Sequence, residues 1–398
     1  MTTLHPAQNL RNIQHFGEEG GVVPVIDHAS TSTFLHPDDM EKVFNGELTG
    51  CYLYSRHQNP TVKAFSDKFA AMEGMEAAFG TASGMSAIYT VLSQLLLDGG
   101  DIVSSNTIYG GTYALLANIF SKRGINTTFV DPTDLEGFKN AITKKTKVIY
   151  VETMSNPLLR VADIKLLSKL AKKNNIKLVV DNTFTPLIIS PKVLGADIII
   201  HSCTKYISGA SDLIAGVICS DQDFINELID VNTGMCMLSG PVMDPQIAYR
   251  LYERLDHLPL RIKAHSQAAE SLAKFLMEKG VEGIVYPGLD NHPEKKLFDS
   301  LRNPAYGYGG MITLDCGNLE RAIKLARSLQ ENKFGLFAVS LGFSRTLMSC
   351  PAASTSSEIP IEEREKTGLK EGLLRLSIGC TGDTNHLNEV FWKCFQDL

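Results

Sequence analysis

Residues 101–219 repeat one pattern: short apolar runs at 101–105, 126–130, 147–151, 177–180, 196–200 and 215–219, with helical apolar spacing after Thr112 and at 134–141. Runs such as Leu178-Val179-Val180 and Ile198-Ile199-Ile200 have no polar face, so they suit strands buried on both sides. Strands that alternate with helices predict an α/β fold with a mostly parallel sheet covered by helices. Ligands of such sheets collect beyond the carboxyl ends of the strands. The residues that follow each run are therefore the candidates for chemistry.

Two of those ends stand out. The run at 196–200 leads into His201-Ser202-Cys203-Thr204-Lys205-Tyr206, and the run at 177–180 leads into Asp181-Asn182-Thr183-Phe184. A lysine just past a buried strand has a partly desolvated ammonium, which lowers its pKa and makes its amine a nucleophile toward carbonyl compounds. A carboxylate past the neighbouring strand can keep a pyridine nitrogen protonated, so that the ring accepts electrons. Together they meet both needs of pyridoxal 5'-phosphate. Taken singly, Lys205 reads as a solvated loop lysine and Asp181 as an ordinary turn residue; the pair is the more specific signal.

Further segments supply candidate contacts. Apolar spacing at Val62, Phe65, Phe69 and Met72 predicts a helix that stops at Gly74. Thr81-Ala82-Ser83-Gly84-Met85-Ser86 then opens a helix through Leu97. Its free N–H groups and positive dipole end suit a phosphate, although Ser-Gly starts also serve simply as caps. In Tyr109-Gly110-Gly111-Thr112 the paired glycines imply a tight turn with close backbone approach. Glu152-Thr153-Met154-Ser155-Asn156-Pro157 follows the run at 147–151.

Helical spacing at 244–280 breaks near His257-Leu258-Pro259. Beyond it, strands at 283–286, 311–315 and 373–378 and helices at 320–330 and 386–395 predict a smaller α/β unit. The Tyr and Gly alternation at 303–310 predicts a mobile loop there. Leu374-Arg375-Leu376-Ser377 sets a lone guanidinium in a strand, where it needs a partner. That partner is either an internal carboxylate or the α-carboxylate of an amino acid, gripped bidentately. Residues 1–56 show few periodic stretches and read as an extended arm, which buries little alone and is expected to lie on a neighbouring subunit. The chain of 398 residues thus divides into an N-terminal arm (1–57), a cofactor-binding domain (58–257) and a C-terminal domain (258–398).

Composition removes other classes of function. The chain is 44% hydrophobic and 21% charged, with a formal net charge of −6 and no basic block, so nucleic acid and anionic membrane partners are not expected. No secretory signal or membrane-length apolar run is visible, which predicts a cytoplasmic enzyme. The eight cysteines, none in a C-x-x-C pair, read as reduced thiols rather than as a disulfide framework or zinc site. No metal is expected.

The segments VVDNTF (179–184) and SCTKYISG (202–209) resemble those of the γ-family of fold-type I pyridoxal phosphate enzymes, which handle cysteine and methionine metabolism. Similar motifs run from Tyr54 to Arg375. The resemblance implies that Lys205 carries pyridoxal phosphate and serves as catalytic base, with Tyr109 stacked on the pyridine ring and acting as acid to the leaving group. It implies that Gly84, Met85, Ser202 and Thr204 join Asp181 and Asn156 in holding the cofactor, Asn156 near its 3-hydroxyl. Tyr54 and Arg56 would reach across a dimer interface to the phosphate, in a homotetramer built from dimers.

For substrate, the resemblance implies an amino acid held by Arg375 and lined by Ser340, Val339 and Gly111. The expected reaction is α,γ-elimination on L-methionine, giving methanethiol, 2-oxobutanoate and ammonia. Cleavage or synthesis of cystathionine, or sulfhydrylation of O-acetylhomoserine, is the alternative within the same family. Members that process cystathionine generally carry a glutamate where Val339 stands, and sulfhydrylases an asparagine where Ser340 stands. Bacterial members acting on methionine have a cysteine at the position of Gly111 and commonly a histidine at that of Ala210, whereas plant-type members have glycine at the first. Methionine with relaxed selectivity is the resulting expectation.

Overall fold

The computed structural model describes residues 4–14, 21–45, 47–48, 50–354 and 360–398. Seven strands form the larger sheet: β1 (Ala77–Thr81), β2 (Asp101–Ser105), β3 (Thr127–Val130), β4 (Thr146–Glu152), β5 (Lys177–Asp181), β6 (Ile198–Ser202) and β7 (Gly216–Ser220). Their spatial order is β1-β7-β6-β5-β4-β2-β3. Every neighbouring pair from β3 to β6 is parallel, and β7 runs against both of its neighbours. The alternation at 101–219 thus folds as the α/β sheet its pattern predicts. β1 is the exception: its Ala-Ala-Phe-Gly run reads in sequence as a lead-in to the next helix, and its strand character comes from pairing with β7.

Successive side chains of a strand point to opposite faces, so each run feeds two cores. Tyr150, Val179, Ile198 and Ile200 pack on one side with Ala87, Val91 and Leu92 of the helix Gly84–Leu95. Ile149, Val180, Ile199 and Val217 pack on the other with Phe65 and Phe69 of the helix Pro60–Glu73 and Leu167 of the helix Ile164–Lys173. Covered on both faces, the central strands have little room to shift register. Asp181 is consequently held level with Glu152 on one side and Ile200 on the other.

Two helices, Pro245–Asp256 and Leu258–Glu278, meet at His257 and lead to a second sheet. Its strands are β8 (Ile284–Val285), β9 (Met311–Asp315), β10 (Leu336–Phe337), β11 (Leu347–Ser349) and β12 (Leu373–Ser377), in the order β10-β11-β12-β9-β8. The segment 303–310 is not the loose loop its Tyr and Gly alternation predicts. Tyr306 and Tyr308 are buried, and Tyr308 stacks on Phe298 while its hydroxyl donates to Asp299 Oδ1 at 2.6 Å. Tyrosines that find such partners anchor a turn that glycines alone would leave free.

The N-terminal region is of two kinds. The helix Pro6–Asn12 buries Leu10 and docks on the chain's own helix Pro60–Glu73, where Asn9 Nδ2 donates to the Ala71 carbonyl at 2.9 Å. Val22, Val25 and Leu35 farther along are largely exposed. Among the described residues no helix is long and apolar enough to cross a membrane, and no group of three or more His, Cys, Asp or Glu could hold a metal ion.

Candidate active site

A cavity of about 310 Å³ opens at the carboxyl ends of β4, β5 and β6 and is bounded on its far side by Arg375 of β12 and by residues 339–341 of the loop between β10 and β11. It is lined by Gly84, Met85, Tyr109, Asn156, Asp181, Ser202, Thr204, Lys205, Val339, Ser340 and Arg375, all candidates from sequence. Three candidates lie elsewhere. Gly111 sits against the Tyr109 ring, where an added Cβ would stand 2.6 Å from Tyr109 Cε1. Tyr54 and Arg56 stack on each other, and Arg56 Nη1 donates to the Met237 carbonyl at 2.7 Å.

Lys205 is placed three residues beyond β6, where the chain turns and the Lys205 N–H donates to the Ser202 carbonyl. Burial and the nearby Arg375 guanidinium lower its pKa to about 8. Its Nζ donates to Ser340 Oγ at 2.9 Å. Ser340 itself has a positive φ of 85°, a conformation that a serine adopts only at a cost. That conformation accompanies two contacts of the residue, its hydroxyl on Lys205 and its carbonyl on Arg375 Nη2 at 2.9 Å.

Asp181 ends β5 and is nearly buried. Burial pushes its carboxyl up, while the Thr183 side chain and amide, the latter 2.9 Å from Oδ1, and the neighbouring His201 pull it down. His201 lies fully buried behind it, with Nε2 2.8 Å from Glu73 Oε1. Arg375, 2% exposed in β12, gives Nη1 to Asn156 Oδ1 at 2.9 Å and leaves its Nε without a partner among the described residues. A buried guanidinium with an unsatisfied N–H and no carboxylate partner is a site for an anion. Among the described residues the internal salt bridge considered from sequence is not formed.

The same wall fits a phosphate. Ser83 caps the helix Gly84–Leu95, and a Cβ at Gly84 would stand 2.7 Å from Ser202 Cβ, so the helix start and the end of β6 touch without one. Backbone N–H groups at that helix start, with the Ser202 and Thr204 side chains close by, make an anion cradle. On the opposite side Gly342, at φ +76°, lies on the lysine turn; a Cβ there would stand 2.5 Å from Tyr206 N and 2.8 Å from Lys205 C. Lysine, carboxyl group and anion cradle in one cavity suit pyridoxal phosphate.

Sequence reasoning passed over several lining residues. Ile88, Met154, Phe184, Ile214 and Leu341 are apolar and carry no functional group to mark them, although Phe184 and Met154 lie inside segments already singled out. Glu152 was legible: the run at 147–151 ends on a carboxyl as the run at 177–180 does, and both lie where ligands of parallel sheets collect.

Residues 7–391 match the model of a family described as Cys/Met metabolism PLP-dependent enzyme. The chain is 45% identical over 397 residues to a methionine gamma-lyase of Arabidopsis thaliana, covering 98% of this chain and 90% of the relative. It is 38% identical over 349 residues to the cystathionine gamma-lyase of Bacillus subtilis (strain 168), with 87% of this chain and 89% of the relative covered. Among solved structures, that of a Campylobacter jejuni protein with N'-pyridoxyl-lysine-5'-monophosphate superposes with a TM-score of 0.90 at 28% identity, over 98% of this chain and 99% of that one.

Proposed function

Because the chain belongs to the Cys/Met metabolism family of pyridoxal phosphate-dependent enzymes, we propose that it converts L-methionine and water to methanethiol, 2-oxobutanoate and ammonia by α,γ-elimination. Pyridoxal phosphate, when bound, supplies an aldehyde that condenses with amines and a ring that accepts electrons. Ser202, Thr204 and the amides at Gly84 and Met85 would hold the phosphate, and Asp181 would keep a proton on the ring nitrogen. Asn156 would meet the ring hydroxyl.

Arg375 binds the α-carboxylate through its unoccupied N–H groups and so presents Cα to Lys205. The Lys205 amine, with its pKa drawn down toward neutrality, takes the α-proton. A second proton passes from Cβ to the Lys205 amine, which has by then given up the first, and the Tyr109 hydroxyl delivers its own to sulfur as the Cγ–S bond breaks. Arg375 and Asp181 are buried, which strengthens their charge interactions.

The observation that carries the choice of methionine is the apolar mouth. Val339 and Ile214, 61% and 64% exposed, stand at the cavity with Met154, Phe184 and Leu341 deeper in. A thioether methyl suits such a wall. The distal ammonium and carboxylate of cystathionine would meet no charged side chain at that apolar wall among the described residues, at a cost of about 1 kcal/mol or more per unpaired group. The similarity to the Arabidopsis enzyme points the same way, and that to the Bacillus enzyme keeps cystathionine as the second reading.

A homotetramer and a cytoplasmic location complete the proposal. The first is supported by Tyr54 and Arg56 lying off their own chain's cavity, and the second by eight free cysteines, which suit a reducing compartment. The test is kcat/KM for methionine, for cystathionine and for O-acetylhomoserine with sulfide, with the thiol and keto acid identified. Methionine is expected to lead; a clear lead for either of the others overturns the reading.

A further inference from the structure

Lys205 follows β6 of the larger sheet and Arg375 lies in β12 of the smaller one. The first must reach Cα of a substrate whose carboxylate the second holds, and a misplacement of about 1 Å between such groups can cost about a hundredfold in rate. Something must therefore fix the chain of one sheet against that of the other.

The helix Leu258–Glu278 touches both. Arg261, in its first turn, reaches the lysine turn: Nη1 donates to the Tyr206 carbonyl and Nη2 to the Ile207 carbonyl at 2.8 Å. Tyr206 and Ile207 are buried, so their carbonyls depend on such donors. The rest of the fork goes to the Arg254 carbonyl at 3.2 Å and to His257 Nδ1 at 2.9 Å. Among the described residues Arg261 pairs with no carboxylate, so charge pairing does not account for its place.

One turn farther along, His265 faces the smaller sheet. Its Nδ1 lies 2.6 Å from the Ile378 carbonyl, just past the end of β12, and an acceptor so close places the proton on Nδ1. The Tyr206 ring meets the His265 ring edge-on, with centroids 5.2 Å apart. Ser266 Oγ accepts the Gly309 N–H at 3.0 Å, which binds the same stretch of helix to the chain entering β9. Residues four apart lie on one face of a helix, so a single rigid element spans the lysine turn and the end of β12.

We infer that Arg261 and His265 are positioning residues, a bracket on one helix face that sets the distance from the Lys205 amine to the Arg375 guanidinium. The inference rests on Arg375 as the seat of the substrate carboxylate, as proposed above, and not on methionine as the substrate.

The experiment uses the full-length protein loaded with pyridoxal phosphate and two probes, glycine and methylamine, which differ only in the α-carboxylate. Each is titrated while the visible spectrum of the cofactor is followed. The ratio of the two Kd values measures how well the carboxylate meets Arg375 once the amine is in place. In His265→Leu the preference for glycine should fall about tenfold, the equivalent of one hydrogen bond, with the Kd for methylamine and for the cofactor within about twofold of the natural protein. Arg261→Met should lower the preference by at least as much, and Arg261→Lys and His265→Gln, which keep a donor, by less. Arg375→Ala is the reference for complete loss.

A preference for glycine unchanged in both His265→Leu and Arg261→Met overturns the inference, while its loss in Arg375→Ala leaves the carboxylate seat standing. An equal weakening of glycine and methylamine would mean a scaffold role only and overturns it as well. A preference that survives Arg375→Ala puts the carboxylate elsewhere, and the inference falls with that reading. Where His265→Leu or Arg261→Met fails to fold, His265→Gln and Arg261→Lys carry the test by the same ratio.

Discussion

Ile199 and Ile200 of β6 are fully sealed, whereas Val22, Val25 and Leu35 are 88%, 72% and 96% exposed, although all five are aliphatic. The first two sit between helices of their own chain, in a strand whose ladder and packing are complete. The other three belong to a segment that runs over the surface with no second layer above it. Apolar side chains left in water on that scale forgo about 25 cal/mol for each Å² they could bury. The site follows the same division. Lys205, Asp181 and Arg375 are set by the interior of one chain, while Tyr54 and Arg56, which we propose complete a partner's site, lie off that cavity.

The largest effect that would sharpen this comparison is expected from Lys205→Ala. Loss of the amine should lower kcat by about 10³-fold or more and abolish attachment of cofactor by borohydride reduction. Reduction that still labels another lysine would show that the interior had been misread. Next is Arg375→Ala, which removes a charge-assisted pair of roughly 1.5–3 kcal/mol, a tenfold to hundredfold loss in kcat/KM with the cofactor spectrum unchanged. Loss of cofactor in that variant would make Arg375 part of the scaffold instead.

Arg56→Ala should act from outside, raising the cofactor Kd by about tenfold, the magnitude of one lost charge-assisted contact. A protein that is monomeric by sedimentation while fully loaded and active would break the comparison, because the uncovered segment would then serve nothing. The smallest expected effect is on cofactor loading as a function of pH. Condensation needs the neutral amine, and a pKa lowered to about 8 places that form within reach of ordinary buffers. Loading rates followed by absorbance should rise with pH and level off above about 8; a continued rise to pH 10 would mean an unperturbed lysine.

Much of the interior was legible from sequence because burial on both faces leaves a strong trace. The strands ending at Asp181 and Ser202 fall within two residues of the apolar runs that announce them. Asp181 proved to be the last strand residue rather than the first beyond it, a shift too small to move it from the site. Less legible were elements whose residues lack a period of their own. β1 owes its conformation to β7, and the turn at 303–310 is held by tyrosines whose partners lie in another helix. The role of Ser340 was visible as a residue type, but its left-handed backbone was not, since only the contacts to Lys205 and Arg375 call for it.

The backbone contact at Gly342 limits how such a chain can drift over generations. Any other amino acid there inserts a carbon between the smaller sheet and the lysine turn, in a conformation that side chains rarely adopt. To admit it the two sheets must part, and Arg375 then moves away from Asn156. Surface loops can lengthen or change composition with little consequence, but this codon is closed to substitution. In a saturation library selected for activity, position 342 should be depleted of variants as Lys205 is, although Gly342 has no side chain to take part in the chemistry.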